Sequence, residues 1–425
     1  MWLNYECMAK VFASIITIGD ELLIGQTIDT NSAWMAQELN KIGVWVRHRI
    51  AVGDVWDDIW SALDEESKNA DIILITGGLG PTSDDITKPL LCKYFNGKMV
   101  VNEKVLEHIK EIFEKLKRPL LENNLKQAEV PDVCTVIPNK NGTAPGMLFK
   151  KDKKIYISLP GVPHEMKDIM HFSVLPMIPQ LFTLPVIVHR NALTAGQGES
   201  FLAESLSPFE KELPDHIKLA YLPGYGMVRL RLTGQGTKRE ELENEIEEHF
   251  IKMKGLVKKY LVTDTDESIE KVIGNLLKER HKFVASAESC TGGLIAMLLT
   301  MHPGSSNSFK GGIVAYANEA KENVLNVEHK TLVSVGAVSE ETVNEMVKGA
   351  LETLNSDYAV ATSGIMGPDG GTTYKPVGTV WIAVGNNKKT EAKQFFFRFD
   401  RKRNTELTAY AALNMLRLFI LKDEE

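Results

Sequence analysis

Apolar positions along the first part of the chain follow strand and helix spacing in turn. Residues 11–18 form a continuous, β-branched apolar run, as a buried parallel strand does. Residues 30–42 place apolar side chains at helical spacing, and two more strands are predicted at 44–52 and 71–76, with a helix at 55–67 between them. Repeated strand–loop–helix units predict an α/β domain with a doubly wound parallel sheet that binds ligands at the carboxyl ends of its strands.

The pattern changes after residue 185. Residues 186–262 combine strand-like runs at 186–193 and 227–233 with a charged helical stretch at 238–254, which predicts a small α+β module. From residue 269 a helix is followed by renewed alternation of strands and helices. The strands predicted there are 283–286, 312–316, 358–362 and 378–384. The chain therefore reads as two α/β domains joined by a smaller module.

Composition narrows the class of protein. The 425 residues carry 49 Lys and Arg against 56 Asp and Glu, a net charge of −7, and 44% are hydrophobic. These values exclude a disordered or fibrous chain and argue against direct nucleic-acid binding, which usually needs a basic face. No apolar run reaches the ~20 residues that span a bilayer. The four cysteines form no CxxC pair, so we expect a reduced, cytoplasmic protein without a zinc module and without membrane attachment.

The segment AESCTGG, residues 287–293, leaves a predicted strand and enters a helix. Such a turn can expose Ser289 as a nucleophile and direct main-chain amides at an oxyanion. The alternative is an N-cap serine followed by packing glycines.

A nucleophilic serine needs a base, and no GxSxG motif accompanies this one. Lys321, in AYANEAK, can act as the base if burial lowers its pKa, with Tyr316 relaying or orienting a proton. The alternatives are that Lys321 is a solvated lysine on a helix and that Tyr316 is an aromatic residue at the rim of the domain.

A third segment, residues 362–373, follows a strand and is rich in glycine. Its backbone suits an anion cradle, with Lys375 close by in sequence. A solvent loop is the alternative.

Together these segments resemble the nicotinamide-nucleotide amidase domain, through AESCTGG, YANEAK, GAVSEETV and SGIMGPDGGTTYKPVGTVW. The resemblance covers residues 268–421 and implies deamidation of nicotinamide mononucleotide to nicotinate mononucleotide and ammonia, without a cofactor. It implies Ser289 as nucleophile and Lys321 and Tyr316 as its activating neighbours. The oxyanion and substrate-binding residues it implies are Thr291, Gly292, Gly293, Asn318, Gly364, Gly370, Gly371 and Lys375. Met366 departs from the family, which usually has a small residue there, and is expected to narrow the pocket.

Four carboxylates stand at predicted strand ends in the first domain: Asp20, Glu21, Asp84 and Asp85. Such a like-charge cluster favours a divalent cation, Mg²⁺ or Mn²⁺, shared with substrate phosphates. Gly78 and Gly80 allow close backbone approach to a phosphate. Thr30, Asn31 and Thr82 are predicted as polar contacts to the substrate. The alternative is that Asp20 and Asp84 are helix N-caps.

This half of the chain, residues 10–175, resembles the molybdopterin-binding fold through TIGDELLIGQTIDTN, ITGGLGPTSDD, NGTAPGM and LPGVPHEM. Placed before an amidase domain, it is similar to the competence/damage-inducible protein A (CinA) family. That resemblance implies a metal-dependent ADP-ribose pyrophosphatase that releases AMP and ribose 5-phosphate, and a homodimer.

The middle module, residues 186–262, resembles the KH-like linker of the same family, but Gly224-Tyr225-Gly226 is not the GxxG loop with which KH domains grip RNA. We interpret it as a spacer or dimer element. Two other functions stay open for the whole chain: molybdopterin binding or molybdenum-cofactor biosynthesis, and a competence-related scaffold.

Overall fold

The structure, a computed structural model, describes residues 10–82 and 85–423. The strands are β1 Phe12–Ile18, β2 Trp45–Val52, β3 Ile72–Thr76, β4 Met99–Val101, β5 Glu129–Pro131, β6 Thr135–Ile137, β7 Gly146–Lys151, β8 Lys154–Leu159, β9 Val186–Ala195, β10 Ile217–Gly224, β11 Met227–Gly236, β12 Leu261–Thr263, β13 Val284–Glu288, β14 Phe309–Val314, β15 Tyr358–Gly364, β16 Thr379–Asn386 and β17 Thr390–Phe396.

The α-helices are α1 Asp20–Leu23, α2 Thr30–Lys41, α3 Trp56–Asn69, α4 Thr87–Tyr94, α5 Glu103–Lys115, α6 Glu122–Leu125, α7 Pro163–Ile169, α8 Leu175–Leu181, α9 Glu199–Lys211, α10 Arg239–Val257, α11 Ile269–Glu279, α12 Leu294–Thr300, α13 Asn318–Leu325, α14 His329–Ser334, α15 Glu340–Leu354 and α16 Arg401–Lys422. None of the described helices is both long enough and apolar enough to cross a membrane.

The chain divides into two compact units. The first runs to Val188 and includes 235–242, and the second comprises 189–234 and 243 onward. In the first unit a six-stranded sheet has the order β2-β1-β3-β8-β7-β6. Its first four strands are parallel, as predicted, whereas β7 and β6 are antiparallel. A hairpin thus extends the parallel sheet at one edge.

Both faces of this sheet are buried. Ile15 and Leu74 enter one apolar cluster, whereas their neighbours Ile16 and Ile75 enter another on the opposite face. Because successive strand residues point to opposite faces, a continuous apolar run is what a strand covered on both sides requires. The covered faces confirm the doubly wound arrangement and leave the strand ends free for a site.

The second unit contains two sheets. The four strands between 186 and 263 form a sheet in the order β10-β11-β9-β12, and the larger sheet has the order β14-β13-β15-β16-β17. In the larger sheet β14, β13 and β15 are parallel, and β16 and β17 complete it as antiparallel strands. One face is lined by alanines, including Ala285, Ala359 and Ala383, which let α15 pack closely. The carboxyl ends of β13 and β15 therefore lie side by side, and both site segments follow them.

Candidate functional site

Ser289 lies in a tight turn between β13 and α12. The turn contains Gly292 at φ 60° and Gly293 at φ 99°, both in the left-handed region that a side chain disfavours. Ser289 is 8% exposed, and its main-chain amide donates to the carbonyl of Thr362 on the neighbouring strand at 3.0 Å. The strand pair thus fixes the serine backbone. The helix that this segment was expected to enter begins at Leu294, after the two glycines close the turn.

Glu288, the residue before the serine, is fully buried and was not singled out in the sequence. Its carboxylate accepts hydrogen bonds from the amides of Gly293 (3.0 Å), Ile295 (3.0 Å) and Ala296 (2.8 Å). It also accepts the hydroxyl of Ser286 at 3.1 Å. The side chain caps α12 from inside and satisfies helix amides that otherwise have no partner. The signal in the sequence is a glutamate at the end of a buried strand, directly before the turn that contains the two glycines.

This cap changes the predicted oxyanion hole. The Gly293 amide is occupied by Glu288, and the Gly292 amide donates to the carbonyl of Ser289 at 3.3 Å. Among the described residues, the amides of Cys290 and Thr291 donate to no partner. The prediction that Gly293 supplies an oxyanion donor is wrong in this conformation, because the buried carboxylate has taken that amide. The main-chain amide of Thr291 stays available to an oxyanion. The hydroxyl of Thr291 forms a hydrogen bond with the hydroxyl of Thr362 at 2.8 Å.

Cys290 is a poor rival to the serine. Burial raises the pKa of its thiol to about 12, so the nucleophilic thiolate is scarce at neutral pH.

Lys321 is buried, with 1% of its surface exposed, which rules out the solvated alternative. Its Nζ donates to the carbonyls of Ala315 and Tyr316, each at 2.9 Å. The amide of Ala315 in turn donates to the carbonyl of Glu288 at 2.9 Å, so the amine lies beside the strand end that carries Ser289. Burial lowers the pKa of Lys321, which favours its neutral form.

Tyr316 contributes its carbonyl to Lys321, while its ring is 62% exposed. The hydroxyl accepts a hydrogen bond from Arg401 Nη2 at 3.0 Å. Arg401 also donates through Nη1 to the carbonyl of Gly367 at 2.8 Å, so it bridges Tyr316 and the glycine-rich loop. Sequence reasoning missed Arg401, which opens α16 and is 85 residues from Tyr316. Asn318 begins α13 on the exposed side of this rim.

The glycine-rich loop is ordered by specific contacts. Gly364 ends β15, Gly370 adopts φ 90°, and Gly371 is exposed. Lys375 Nζ donates to the carbonyls of Val335 (2.6 Å) and Val338 (2.7 Å). Lys375 therefore ties this loop to the segment between α14 and α15.

Met366 does not narrow a pocket as predicted. It is 3% exposed and packs into the apolar cluster under α11 and α16. The reason is that its side chain points into the core, where an unbranched thioether fits an irregular gap.

A second candidate site lies in the first unit, where β1, β3 and β8 end. A cavity of about 470 Å³ opens there. Five glycines line it: Gly19, Gly77, Gly78, Gly80 and Gly161. Four carboxylates line it as well: Glu21, Asp54, Asp85 and Glu165. Of the residues predicted for this site, Glu21, Gly78, Gly80 and Asp85 line the cavity. The cavity was expected from the strand ends, whereas Asp54 and Glu165 were missed because they follow other elements.

Asp85 closes the glycine loop. Its Oδ1 accepts the amide of Gly80 at 2.7 Å, and its Oδ2 accepts the amide and hydroxyl of Thr82 at 2.8 and 2.5 Å. Asp20 and Asp54 exchange amide-to-carboxylate hydrogen bonds, both at 3.2 Å. Asp84, also predicted as a metal ligand, lies outside the described residues.

Thr30 and Asn31 open α2. Asn31 Nδ2 donates to the carbonyl of Gly161 at 2.7 Å, and its Oδ1 is buried with no partner among the described residues. Asp29, not predicted, is the N-cap of this helix and accepts the amide of Ser32 at 2.9 Å. Asn31 thus braces the cavity wall, and Thr30 is exposed beside it.

Lys88 is a second buried lysine that the sequence did not reveal. Its Nζ donates to the carbonyls of Gln127 (3.1 Å) and Glu129 (3.3 Å), and it is 7% exposed. Burial lowers its pKa to about 8, and the negative charges of Glu129 and Asp85 offset part of this decrease. It holds the α4 side of the site to the start of β5 and the residues just before it.

Carboxylate oxygens are suitable ligands for a hard cation such as Mg²⁺, but these carboxylates do not surround a common point. In the part of the chain that the structure describes, no three His, Cys, Asp or Glu side chains converge as a metal site. A cation bound through one or two carboxylates and substrate phosphates needs no such cage, which is how Mg²⁺ is commonly held.

Three families match successive parts of the chain. Residues 14–180 match the "Probable molybdopterin binding domain", residues 189–263 the "Damage-inducible protein CinA KH domain", and residues 266–420 the "CinA C-terminal domain".

Full-length relatives share this arrangement. A CinA-like protein of Cytophaga hutchinsonii is 44% identical over 407 residues, 96% of this chain and 97% of the relative. A CinA-like protein of Flavobacterium psychrophilum is 43% identical over 413 residues, 97% of this chain and 99% of the relative. A solved competence/damage-inducible protein from Agrobacterium tumefaciens is 37% identical, with a TM-score of 0.35, and covers 36% of this chain and 93% of its own. The chain belongs to the CinA family, with a molybdopterin-binding-like domain, a KH-like module and a CinA C-terminal domain.

Proposed function

We propose that the C-terminal domain hydrolyses the carboxamide of nicotinamide mononucleotide to give nicotinate mononucleotide and ammonia. The observation that carries this proposal is the buried lysine beside the Ser289 turn, where two main-chain amides have no partner. A buried amine next to a serine and two free amides supplies a base, a nucleophile and an oxyanion hole.

The hydrogen bonds of Lys321 favour a base. A neutral amine has two N–H groups and one lone pair. Two carbonyls, those of Ala315 and Tyr316, accept from Nζ, which accounts for both N–H groups and leaves the lone pair for a proton. The lowered pKa of Lys321 makes this neutral form accessible.

The reaction then follows two steps. Ser289 Oγ attacks the carboxamide carbon while its proton passes to Lys321, and the amides of Cys290 and Thr291 stabilise the oxyanion. Collapse breaks the C–N bond, and the proton on Lys321 leaves with ammonia. Water then attacks the acyl-serine, giving its proton to Lys321, and the proton returns to Ser289 as the carboxylic acid departs. The balance is one amide and one water consumed for one acid and one ammonia.

For the N-terminal domain we propose cleavage of ADP-ribose to AMP and ribose 5-phosphate in the presence of a divalent cation. The glycine-lined cavity, rimmed by carboxylates at the strand ends, supports this proposal. Glycine backbones allow close approach of a diphosphate, and bound Mg²⁺ or Mn²⁺ would neutralise its charge and make phosphorus more electrophilic. Glu21 and Glu165 are the rim carboxylates proposed to hold or activate the attacking water.

The test measures ammonia release and AMP formation with the purified full chain. We expect Ser289→Ala to abolish ammonia release, since removal of a serine nucleophile can cost ~10⁶ in turnover, and to spare AMP formation. EDTA is expected to do the reverse. Equal loss of both reactions in EDTA would refute this division of labour.

The family description of the N-terminal domain favours a second candidate, molybdopterin binding. Tight pterin binding without turnover of ADP-ribose would support it over the pyrophosphatase. The homodimer, the cytoplasmic location and the lack of direct nucleic-acid binding stay predictions.

A further inference from the structure

A cavity of about 210 Å³ lies within the second unit, away from the Ser289 turn. It is bounded by the β10–β11 hairpin of the middle module and by helices α11 and α16 of the C-terminal domain. Leu193, Leu222 and Met227 give it apolar walls, and Tyr225 and Tyr410 also line it. The two tyrosine rings stack on each other, with centroids 5.2 Å apart and planes 12° apart. None of these residues takes part in the proposed reactions.

Glu270 lines this cavity, and among the described residues one oxygen of its buried carboxylate has no hydrogen-bond partner. Glu270, at the start of α11, is only 7% exposed. Its Oε1 lies 3.4 Å from Nε2 of His302, and that same nitrogen contacts the hydroxyl of Ser268 at 3.3 Å. Its Oε2 is buried without a hydrogen-bond partner among residues 10–82 and 85–423. A buried polar atom left unpaired is costly, and native structures usually pair such an atom with an ion, a water or a ligand.

The other charge at the cavity does not neutralise this carboxylate. Arg229 also lines the cavity, but its guanidinium donates to Asp266 Oδ1 at 2.6 Å and to the carbonyl of Glu267 at 3.5 Å. Burial, and to a smaller degree the charge of Glu270, raises the pKa of the Tyr410 hydroxyl. The cavity therefore combines aromatic and aliphatic walls with one negative group that lacks a strong counter-ion.

We propose that this cavity binds a small amphiphilic primary amine. Its ammonium group pairs with the carboxylate of Glu270, and its apolar body lies against Leu193, Leu222 and Met227. Tyrosine faces add attraction for a cation. A single carboxylate with apolar walls does not suit Mg²⁺ or Ca²⁺, which take six or more oxygen ligands. Such a ligand would contact the hairpin and α11 at once.

The experiment uses the full chain and n-butylammonium chloride as the probe. The midpoint of thermal unfolding is followed as the probe concentration increases, beside equal concentrations of sodium chloride and of n-butanol. We expect the midpoint to rise with n-butylammonium alone, since a ligand that binds only the folded state stabilises it. An equal rise with n-butanol would overturn the proposal, because the carboxylate would then play no part. The absence of any rise with n-butylammonium would overturn it as well.

Variants assign the effect to the cavity. Glu270→Gln keeps the shape and removes the charge, and we expect its half-saturating concentration to increase at least about tenfold, the equivalent of ~1.4 kcal/mol. Glu279→Gln, the same change at the exposed end of α11, is the matched control and should respond like the wild type. Tyr225→Ala, at a half-exposed hairpin position, tests a wall independently of the buried glutamate. Wild-type affinity in Glu270→Gln would overturn the proposal, and if Glu270→Gln does not fold, wild-type affinity in Tyr225→Ala would overturn it instead.

Discussion

Glu288 and Gly293 are joined by a hydrogen bond in which the buried carboxylate accepts the glycine amide at 3.0 Å. The bond runs from the end of a strand across the serine turn to the start of the next helix. A negative side chain therefore occupies the positive end of α12, where an anionic substrate group would otherwise bind. Glu288 thus holds the turn, and the amides available to the proposed substrate are those of Cys290 and Thr291.

We predict that Glu288→Gln weakens both the fold and the proposed amidase activity. The new amide group places N–H donors against helix donors, and we expect a loss of ~2–3 kcal/mol in the free energy of unfolding. A displaced serine turn should lower kcat for ammonia release about 10²-fold. Urea unfolding and steady-state kinetics measure the two effects. Glu340→Gln, at an exposed first turn of α15, is the control and should change stability by less than ~0.5 kcal/mol. Wild-type behaviour of Glu288→Gln would refute the role of the cap.

The proposed amidase activity should depend on pH through Lys321. The amine must be neutral to accept a proton, so kcat/KM should rise with pH to a plateau. Because burial lowers the pKa from the ordinary 10.5, the rise should be centred below that value. Lys321→Met should remove the rise and cost ~10²–10⁴ in rate, the usual contribution of a general base. The profile from pH 6 to 10 checks this, and a rate that falls between pH 7 and 9 would contradict it.

Lys88 should make the stability of the N-terminal domain depend on pH. Its pKa is about 8 when folded and 10.5 otherwise, so the unfolded chain binds more protons between these values and stability rises with pH across that window. Below pH 8 the loss of stability caused by burying the charged amine of Lys88 is constant, on the order of 3 kcal/mol. Comparison of wild type with Lys88→Met by urea unfolding at pH 7.5 and 9.5 isolates the effect. A wild-type stability that does not change relative to the variant would be inconsistent with a lysine buried in this way.

Asp85 is placed to hold the glycine loop, and its variant separates this role from metal binding. Asp85→Asn should cost ~1–2 kcal/mol of stability and raise the KM for ADP-ribose, because the carboxylate accepts from Gly80 and Thr82. The Mg²⁺ concentration that gives half activity should stay unchanged. Thr82→Val removes one of the same contacts, so the two changes together should cost less than their sum. A large increase in the Mg²⁺ requirement, with stability intact, would instead identify Asp85 as a metal ligand.

The sequence predicted the local elements well because their apolar patterns are local. Residues 71–76, for instance, were expected as a strand, and β3 spans Ile72–Thr76. It did not reveal partners that the fold brings together, such as Asn31 with Gly161, which are 130 residues apart. Glu288 was missed because its role depends on the helix that follows it. The antiparallel edge strands β6 and β7 were missed because short runs carry little periodic signal.

The serine turn also bears on protein engineering. Its shape depends on two glycines with left-handed backbone conformations, Gly292 and Gly293, and on the fully buried carboxylate of Glu288. A designer who grafts only Ser289 and Lys321, the proposed nucleophile and base, onto another parallel sheet would leave out the carboxylate that holds the turn. The portable unit is the whole strand, turn and first helical turn, from Val284 to Ala296, together with a neighbouring strand that supplies the carbonyl of Thr362. Any scaffold that receives it must offer a small residue where Gly312 lies, since a larger one would collide with Ser286.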